Sequence, residues 1–157
     1  MSYSFKTSAF TISEIQVSYT PTMNRMEQSS ICGSRQAYQL AKGIWSKDKI
    51  ALQEEFKVLL LNRANDVLGI YHVASDGVAS VLADAKLVFG CALKACASAM
   101  ILFHNHPSGR VLPSAEDQAL TSRFVQIGQL LEITVLDHII LCHEEVYYSF
   151  ADEGRMG

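Results

Sequence analysis

Two histidines at the end of an apolar stretch are the residues of this 157-residue chain best placed to do chemistry. His104 and His106 close the apolar run 99–103, which predicts a short strand. Because side chains two residues apart on a strand point the same way, the two imidazoles can meet at one point. Such a pair suits a zinc ion, and the carboxyl end of a strand is where α/β folds tend to place ligands. Many histidine pairs at strand ends are nevertheless merely exposed.

A serine and an acid follow at a spacing that adds to this pattern. Ser114 comes after seven further residues, and Asp117 stands three positions beyond it. This is the spacing of a capping box, which predicts a helix over about 115–130. The same geometry places the Asp117 carboxylate in the first helical turn, near the loop that carries the histidines. His104, His106 and Asp117 then make three protein ligands, and a catalytic zinc site keeps its fourth position for water. Capping and metal binding are compatible.

A water on zinc also needs a base that takes its proton and passes it to a leaving group. Glu54 and Glu55 stand just before a predicted strand, 56–61. Most carboxylates at strand starts are solvated, and spacing alone does not choose between these two.

The elements that must position these residues alternate along the chain. Strands and helices in turn, ending in a hairpin, predict one α/β (α+β) domain with a mixed sheet flanked by helices. Residues 1–30 are interpreted as an irregular lead-in, and residues 31–157 as the domain. The predicted strands are 14–19, 56–61, 67–73, 99–103, 133–141 and 146–150, and the predicted helices are 34–46 (with Ser34 as its cap), 84–98 and 115–130.

Composition limits the compartment and the partners. Apolar residues make up 49% of the chain, and 13 basic against 16 acidic residues leave a net charge of −3. That balance does not favour a nucleic acid as partner, although it does not exclude a local patch. No signal peptide or membrane span is visible, so we expect a cytoplasmic protein without a membrane partner. The four cysteines form no CxxC pair and are expected to be reduced and mostly buried, with Cys91 and Cys96 in one helix.

One more histidine has two interpretations. His138 lies on the predicted strand 133–141, next to Asp137. It is either a half-buried strand residue paired with Asp137 or solvent, or a residue that faces the metal site from behind the ligands.

The combined pattern resembles a known family. His104-x-His106, seven residues, Ser114, two residues and Asp117 is similar to the signature of the JAMM metal-dependent isopeptidases and proteases. The form HNHPSG…PSxxD, with LLLNRANDVLGIY before it and VLDHIIL…YYSFADEG after it, resembles the RadC-like branch of the JAB/MPN domains. The resemblance runs from about Gln53 to Gly154.

The resemblance implies a fold, a cofactor and a role for each residue. The fold would be a curved mixed sheet between helices, related to the cytidine deaminase core. His104, His106 and Asp117 would bind Zn²⁺ with a water, Ser114 would hydrogen-bond the oxyanion, and Glu54 would be the general base. The substrate would be an unidentified peptide or protein that is cleaved at an amide or isopeptide bond.

Two departures from the family and two other functions are also considered. Residues 1–40 do not resemble the N-terminal helix-hairpin-helix region of long RadC proteins, and Leu82-Ala83-Asp84-Ala85-Lys86 replaces a segment where the family often has a Pro-Arg pair. The main alternative is a non-catalytic or accessory module in DNA repair or mobile-element processes. A third possibility is a hydrolase or deaminase that acts on a small molecule or nucleobase, and the deaminase is disfavoured because its HxE and PCxxC motifs are missing. The sequence does not reveal the oligomeric state.

Overall fold

The structure is a computed structural model that describes residues 4–6, 11–13, 18–20, 30–76 and 83–157. These residues form seven strands and three helices. In chain order they are β1 (Ser4–Lys6), β2 (Thr11–Ser13), α1 (Ser34–Ile44), β3 (Glu54–Leu61), β4 (Val67–Asp76), α2 (Ala85–Lys94), β5 (Ala99–Asn105), α3 (Ala115–Leu131), β6 (Thr134–Leu141) and β7 (Tyr147–Ser149).

A mixed five-stranded sheet carries the site, with strand order β4-β3-β5-β6-β7. The β5–β6 pair is parallel, whereas the other neighbouring pairs are antiparallel. The parallel pair requires a crossover connection, and α3 supplies it. β1 and β2 form a separate two-stranded antiparallel sheet. The mixed sheet with helices against it confirms the predicted fold class.

Helices cover both faces of the sheet because its central strands are apolar on both sides. β5 is buried along its whole length, as is typical of a strand with parallel pairing. On one face, α2 and α3 enclose a core around Val88, Phe89 and Phe124. On the other face, α1 packs through Tyr38 and Ala41. The sheet is therefore the middle layer of three.

Antiparallel pairing of β3 with β5 brings the start of one strand to the end of the other. Phe56 lies opposite His104 in this register. Glu54 precedes Phe56 by two residues and lies on the same face of its strand, as His106 does after His104. The fold therefore places the acid and the histidine pair at one edge of the sheet, where α3 begins.

Several predicted boundaries are corrected by the structure. The helix over 34–46 ends at Ile44, and its N-cap is Gly33, because the Ser34 hydroxyl donates to Asp152 (2.6 Å) and does not cap the helix. The helix over 84–98 ends at Lys94. Cys96 lies beyond it with a positive φ of 53°, so the two cysteines do not share a helix.

Of two other predictions, one lies largely outside the described residues and one is wrong. Of the predicted strand 14–19, residues 14–17 lie outside the described residues, and residues 18–19 are not in a strand. The expectation that the cysteines are mostly buried is wrong, since Cys32 and Cys96 are exposed and Cys142 alone is fully buried. In the described part of the chain, no helix has both the length and the apolar character needed to cross a bilayer.

Candidate metal centre

Four of the predicted site residues converge at the edge of the sheet. The Nε2 atoms of His104 and His106 lie 2.9 Å apart. The Asp117 carboxylate approaches both, with 3.2 Å from Oδ1 to His104 Nε2 and 3.5 Å from Oδ2 to His106 Nε2. A carboxylate oxygen of Glu54 and a nitrogen of each histidine lie within 4.8 Å of one another. Among the described residues, Glu54, His104 and His106 are the group of metal-ligating side chains close enough together to hold an ion, and Asp117 borders this group.

Asp117 is held in place by the first turn of α3. Its Oδ2 accepts the backbone N–H of Ser114 (2.7 Å) and the Ser114 hydroxyl (2.8 Å), while the Asp117 N–H donates to Ser114 Oγ (3.1 Å). The predicted capping box is thus present, and it fixes the carboxylate while Oδ1 remains directed at His104.

The tautomer of His106 follows from its neighbour in the loop. His106 Nδ1 lies 2.6 Å from the carbonyl oxygen of Arg110. A carbonyl only accepts, so Nδ1 must carry the proton. In the neutral ring, the lone pair is then on Nε2 and points at the site.

The tautomer of His104 follows from a chain of buried groups behind it. The Thr121 hydroxyl donates to the Asp117 carbonyl (2.6 Å), so its proton is already used, and His138 Nδ1 must donate to Thr121 Oγ1 (2.6 Å). His138 Nε2 is then the acceptor for His104 Nδ1–H at 2.8 Å. The lone pair of His104 is left on Nε2, beside that of His106.

The site therefore requires a positive charge. Two lone pairs at 2.9 Å, with a carboxylate beside them, repel one another unless a proton or a metal ion lies among them. Two imidazoles and a carboxylate are also ligands that Zn²⁺ accepts. The donor set of this chain thus fits a zinc ion.

The pKa shifts of Asp117, His106 and His138 follow from their burial and from one another's charge. Burial would raise the pKa of Asp117, but hydrogen bonds from His104 and His106 when these rings are protonated at Nε2, together with the charge of His104, hold it far below its usual range. Burial would lower the pKa of His106, but Asp117, the Arg110 carbonyl and the charge of Glu54 together raise it. Burial, aided by the charge of His104, lowers the pKa of His138 well below its usual value and keeps this ring neutral.

The loop after the histidines has a glycine that no other residue can easily replace. Gly109 has a φ of +81°, which L side chains rarely adopt. A Cβ there would also lie 3.0 Å from Cε1 of His143, which packs against the glycine. Gly109 thereby lets the loop turn back so that the next residue, Arg110, presents its carbonyl to His106.

The site opens into a cleft of about 630 Å³. Glu54, His106, Ser114 and Asp117 lie on its wall, and one face of α3 continues that wall away from the site. The other lining residues are Ala83, Glu116, Ala119, Leu120, Arg123 and Phe124. The lining residues offer both apolar and charged contacts beside the candidate metal centre.

The structure distinguishes the two candidate acids and the two interpretations of His138. Glu54 lines the cleft, whereas the Glu55 carboxylate lies on the other face, paired with Lys57 (2.9 Å). His138 is fully buried behind His104, and its backbone N–H, not its ring, binds Asp137 (2.7 Å). Sequence reasoning missed Thr121, whose only signal is its place one helical turn after Asp117.

Removal of the Thr121 hydroxyl tests the buried chain. Thr121→Val leaves His138 Nδ1–H without its acceptor, so His138 loses its preferred tautomer and no longer fixes the His104 proton. We expect zinc affinity to fall about 10- to 100-fold, as for other groups that orient metal-binding histidines. Thr121→Ser, which keeps the hydroxyl, is the control. The measurement is a competition titration against a zinc chelator, and equal affinity for Thr121→Val and wild type would contradict this role.

Comparisons with known proteins follow the same assignment. Residues 31–155 match the model of the family described as "RadC-like JAB domain". A UPF0758 protein of Porphyromonas gingivalis is 38% identical over 136 residues, which are 87% of this chain and 59% of that protein. A UPF0758 protein of Flavobacterium johnsoniae is 43% identical over 101 residues, which are 64% of this chain and 44% of that protein.

The chain spans about half the length of the curated relatives that it matches. The family match, by contrast, covers most of the chain, including β3, β5 and α3, which carry the candidate metal centre. The resemblance seen in the sequence is thereby confirmed: this chain belongs to the RadC-like JAB domain family.

Proposed function

We propose that this domain is a zinc-dependent hydrolase that cleaves amide or isopeptide bonds in a peptide or protein. The observation that carries the proposal is the pair of Nε2 lone pairs at 2.9 Å, fixed by their hydrogen bonds and flanked by Asp117. His104, His106 and Asp117 would hold the ion. When bound, zinc lowers the pKa of a coordinated water to about 7 and polarises a carbonyl group.

Glu54 supplies the proton transfer that hydrolysis needs. Its carboxylate lies beside the histidines and lines the cleft, so a water between them is within its reach. Glu54 accepts a proton as the water oxygen bonds to the carbonyl carbon. It then gives that proton to the nitrogen as the C–N bond breaks, which leaves a carboxylic acid and an amine.

Ser114 is the candidate donor to the oxyanion. Its hydroxyl donates to Asp117 Oδ2 and lies at the cleft wall. If the O–H turns to the substrate, Asp117 keeps the bond from the Ser114 backbone N–H. A donor of this kind typically contributes about 10²- to 10³-fold to kcat.

Removal and return of the metal test the proposal. We expect about one equivalent of zinc per chain, because the donor set offers one site. With free zinc at about 100 Kd, binding stabilises the folded protein by about 2.7 kcal/mol. Removal of the zinc by a chelator should therefore lower Tm by about 5–10 °C. Cleavage of a library of peptides and lysine-linked isopeptides should disappear with the metal and return with added zinc. A protein that retains no zinc, or cleavage that is indifferent to it, would overturn the proposal.

A further inference from the structure

The residue between the two histidines points to the opposite face of the sheet and makes a dense set of bonds there. Asn105 is fully buried. Its Oδ1 accepts the backbone N–H of Glu55 at 2.7 Å, and its Nδ2 donates to the carbonyl groups of Ile50 (2.7 Å) and Gln53 (2.8 Å). One side chain therefore satisfies three backbone groups of the segment that leads into β3.

These bonds begin where the strand ladder ends. The pairing of β3 with β5 reaches Phe56 opposite His104 and goes no further toward Glu54. Beyond that point, the amide of Asn105 takes the place of a backbone partner. Residues 50–55, which include Glu54, are thus attached to the end of β5, where His104 and His106 lie.

A buried ion pair holds the same segment from the α1 side. Lys57 Nζ donates to Glu55 Oε2 at 2.9 Å and lies 3.7 Å from the centre of the Trp45 ring. The side chains of Glu55 and Lys57 are only 11% and 3% exposed. Because neighbouring side chains on a strand alternate, fixing Glu55 on this face directs Glu54 to the metal face.

We propose that Asn105 is a positioning residue that holds Glu54 at the metal centre. This rests on the proposed function, in which Glu54 moves the proton. Asn105 touches neither substrate nor metal, and acts through the backbone N–H of Glu55 and the carbonyl groups of Ile50 and Gln53. Without it, the segment keeps its pairing with β4 and the Glu55–Lys57 ion pair but loses its attachment to the strand that carries the histidines. A misplacement of about 1 Å in a reacting group can cost about 10²-fold in rate.

The test compares Asn105→Ala with a control variant on the neighbouring strand, β3. Leu61→Ala removes a fully buried side chain from the far end of β3 and controls for lost stability. Asn105→Asp keeps the acceptor for Glu55 N–H and, because burial favours the protonated carboxyl, one of the two donors; it serves if the alanine variant does not fold. The readouts are amide hydrogen exchange at Glu55 in the zinc-loaded protein, zinc affinity, and kcat and KM for a peptide cleaved by the wild type.

For Asn105→Ala we expect exchange at Glu55 to rise at least about 10-fold more than at Val58. We expect kcat to fall about 10- to 100-fold, with KM and zinc affinity within about 3-fold of wild type. The kcat of Asn105→Asp should lie between those of Asn105→Ala and wild type. Leu61→Ala should keep the wild-type kcat at temperatures below its own Tm.

Three results would overturn the inference. They are unchanged exchange at Glu55, unchanged kcat, or a loss of zinc in step with activity, which would make Asn105 a support of the metal ligands. Failure of the proposed function shows elsewhere, as equal activity of wild type and Glu54→Gln. In that case the inference falls with its premise even if exchange at Glu55 rises as expected.

Discussion

Glu54→Gln should lose most of the hydrolytic activity while the zinc-loaded fold stays intact. Glu55→Gln should keep the activity but lose stability. A general base and acid contributes about 10²- to 10⁴-fold, so we expect kcat of Glu54→Gln to fall by that factor. Its zinc content should stay near one equivalent, because the three proposed ligands remain. Steady-state kinetics and metal analysis of the same preparation check both expectations.

The neighbouring substitution is the matched control. Glu55 carries the counter-charge of Lys57, which is almost fully buried. Removing that charge leaves a cation without its partner, so we expect Glu55→Gln to lose about 2–4 kcal/mol of unfolding free energy. Its kcat should stay within about 3-fold of wild type, since its backbone N–H still binds Asn105 and the glutamine oxygen can still accept from Lys57 on the same face. Urea denaturation measures the stability term.

The stability difference between wild type and Glu55→Gln should also depend on pH. Burial would raise the pKa of Glu55, but the hydrogen bond and charge of Lys57 outweigh it and lower the pKa below the usual 4.5. A lowered folded-state pKa gives stability that is complete above the unfolded value and is lost as pH falls through the folded value. The unfolding free energies of the two proteins should therefore become equal in acid.

A loss of kcat in Glu55→Gln and not in Glu54→Gln would instead assign the role of general base to Glu55.

Much of this site could be predicted because its residues are close in sequence and chemically distinctive. His104, His106, Ser114 and Asp117 fall within fourteen positions, and their local geometry is set by one strand end and one helix start. Glu54 is different. From the residues alone it could not be separated from Glu55, because the choice depends on which face of β3 meets the metal, and that is decided by pairing with β5.

The supporting residues were harder to predict for a physical reason. Thr121 and Asn105 act through hydrogen bonds to groups 17 and 50 residues away along the chain. No spacing rule connects such distant partners, and threonine in a helix or asparagine at a strand end is common. The end of the helix predicted over 84–98 was wrong because Cys96 adopts a left-handed backbone conformation, which a cysteine residue does not predict.

Joint removal of the two histidines should abolish zinc binding. The double variant His104→Ala/His106→Ala leaves Asp117 as the single remaining proposed ligand. We expect zinc affinity to fall at least about 10³-fold, so that purified protein carries less than about a tenth of an equivalent. The zinc-dependent rise in Tm should disappear with it. His72→Ala, at an exposed histidine of β4, is the control and should keep its zinc.

The dependence of zinc affinity on pH gives the wild type a test of its own. Zinc and protons compete for the Nε2 atoms, and the raised pKa of His106 means that the metal-free site holds its proton to a higher pH than a free imidazole. Zinc uptake should therefore release protons, and affinity should fall as pH drops through that pKa. In the control variant His72→Ala the same slope should persist, because its site is unchanged.

Two outcomes of the double variant would count against the metal centre. Full zinc retention would place the ion elsewhere. Salt-sensitive DNA binding that survives the loss of both histidines would instead favour the accessory DNA-repair module, in which the fold binds without chemistry. That alternative gives no reason for two neutral imidazoles to be fixed with their lone pairs facing each other at 2.9 Å. Because such an arrangement is costly without a cation, we expect the loss of zinc and of hydrolysis together.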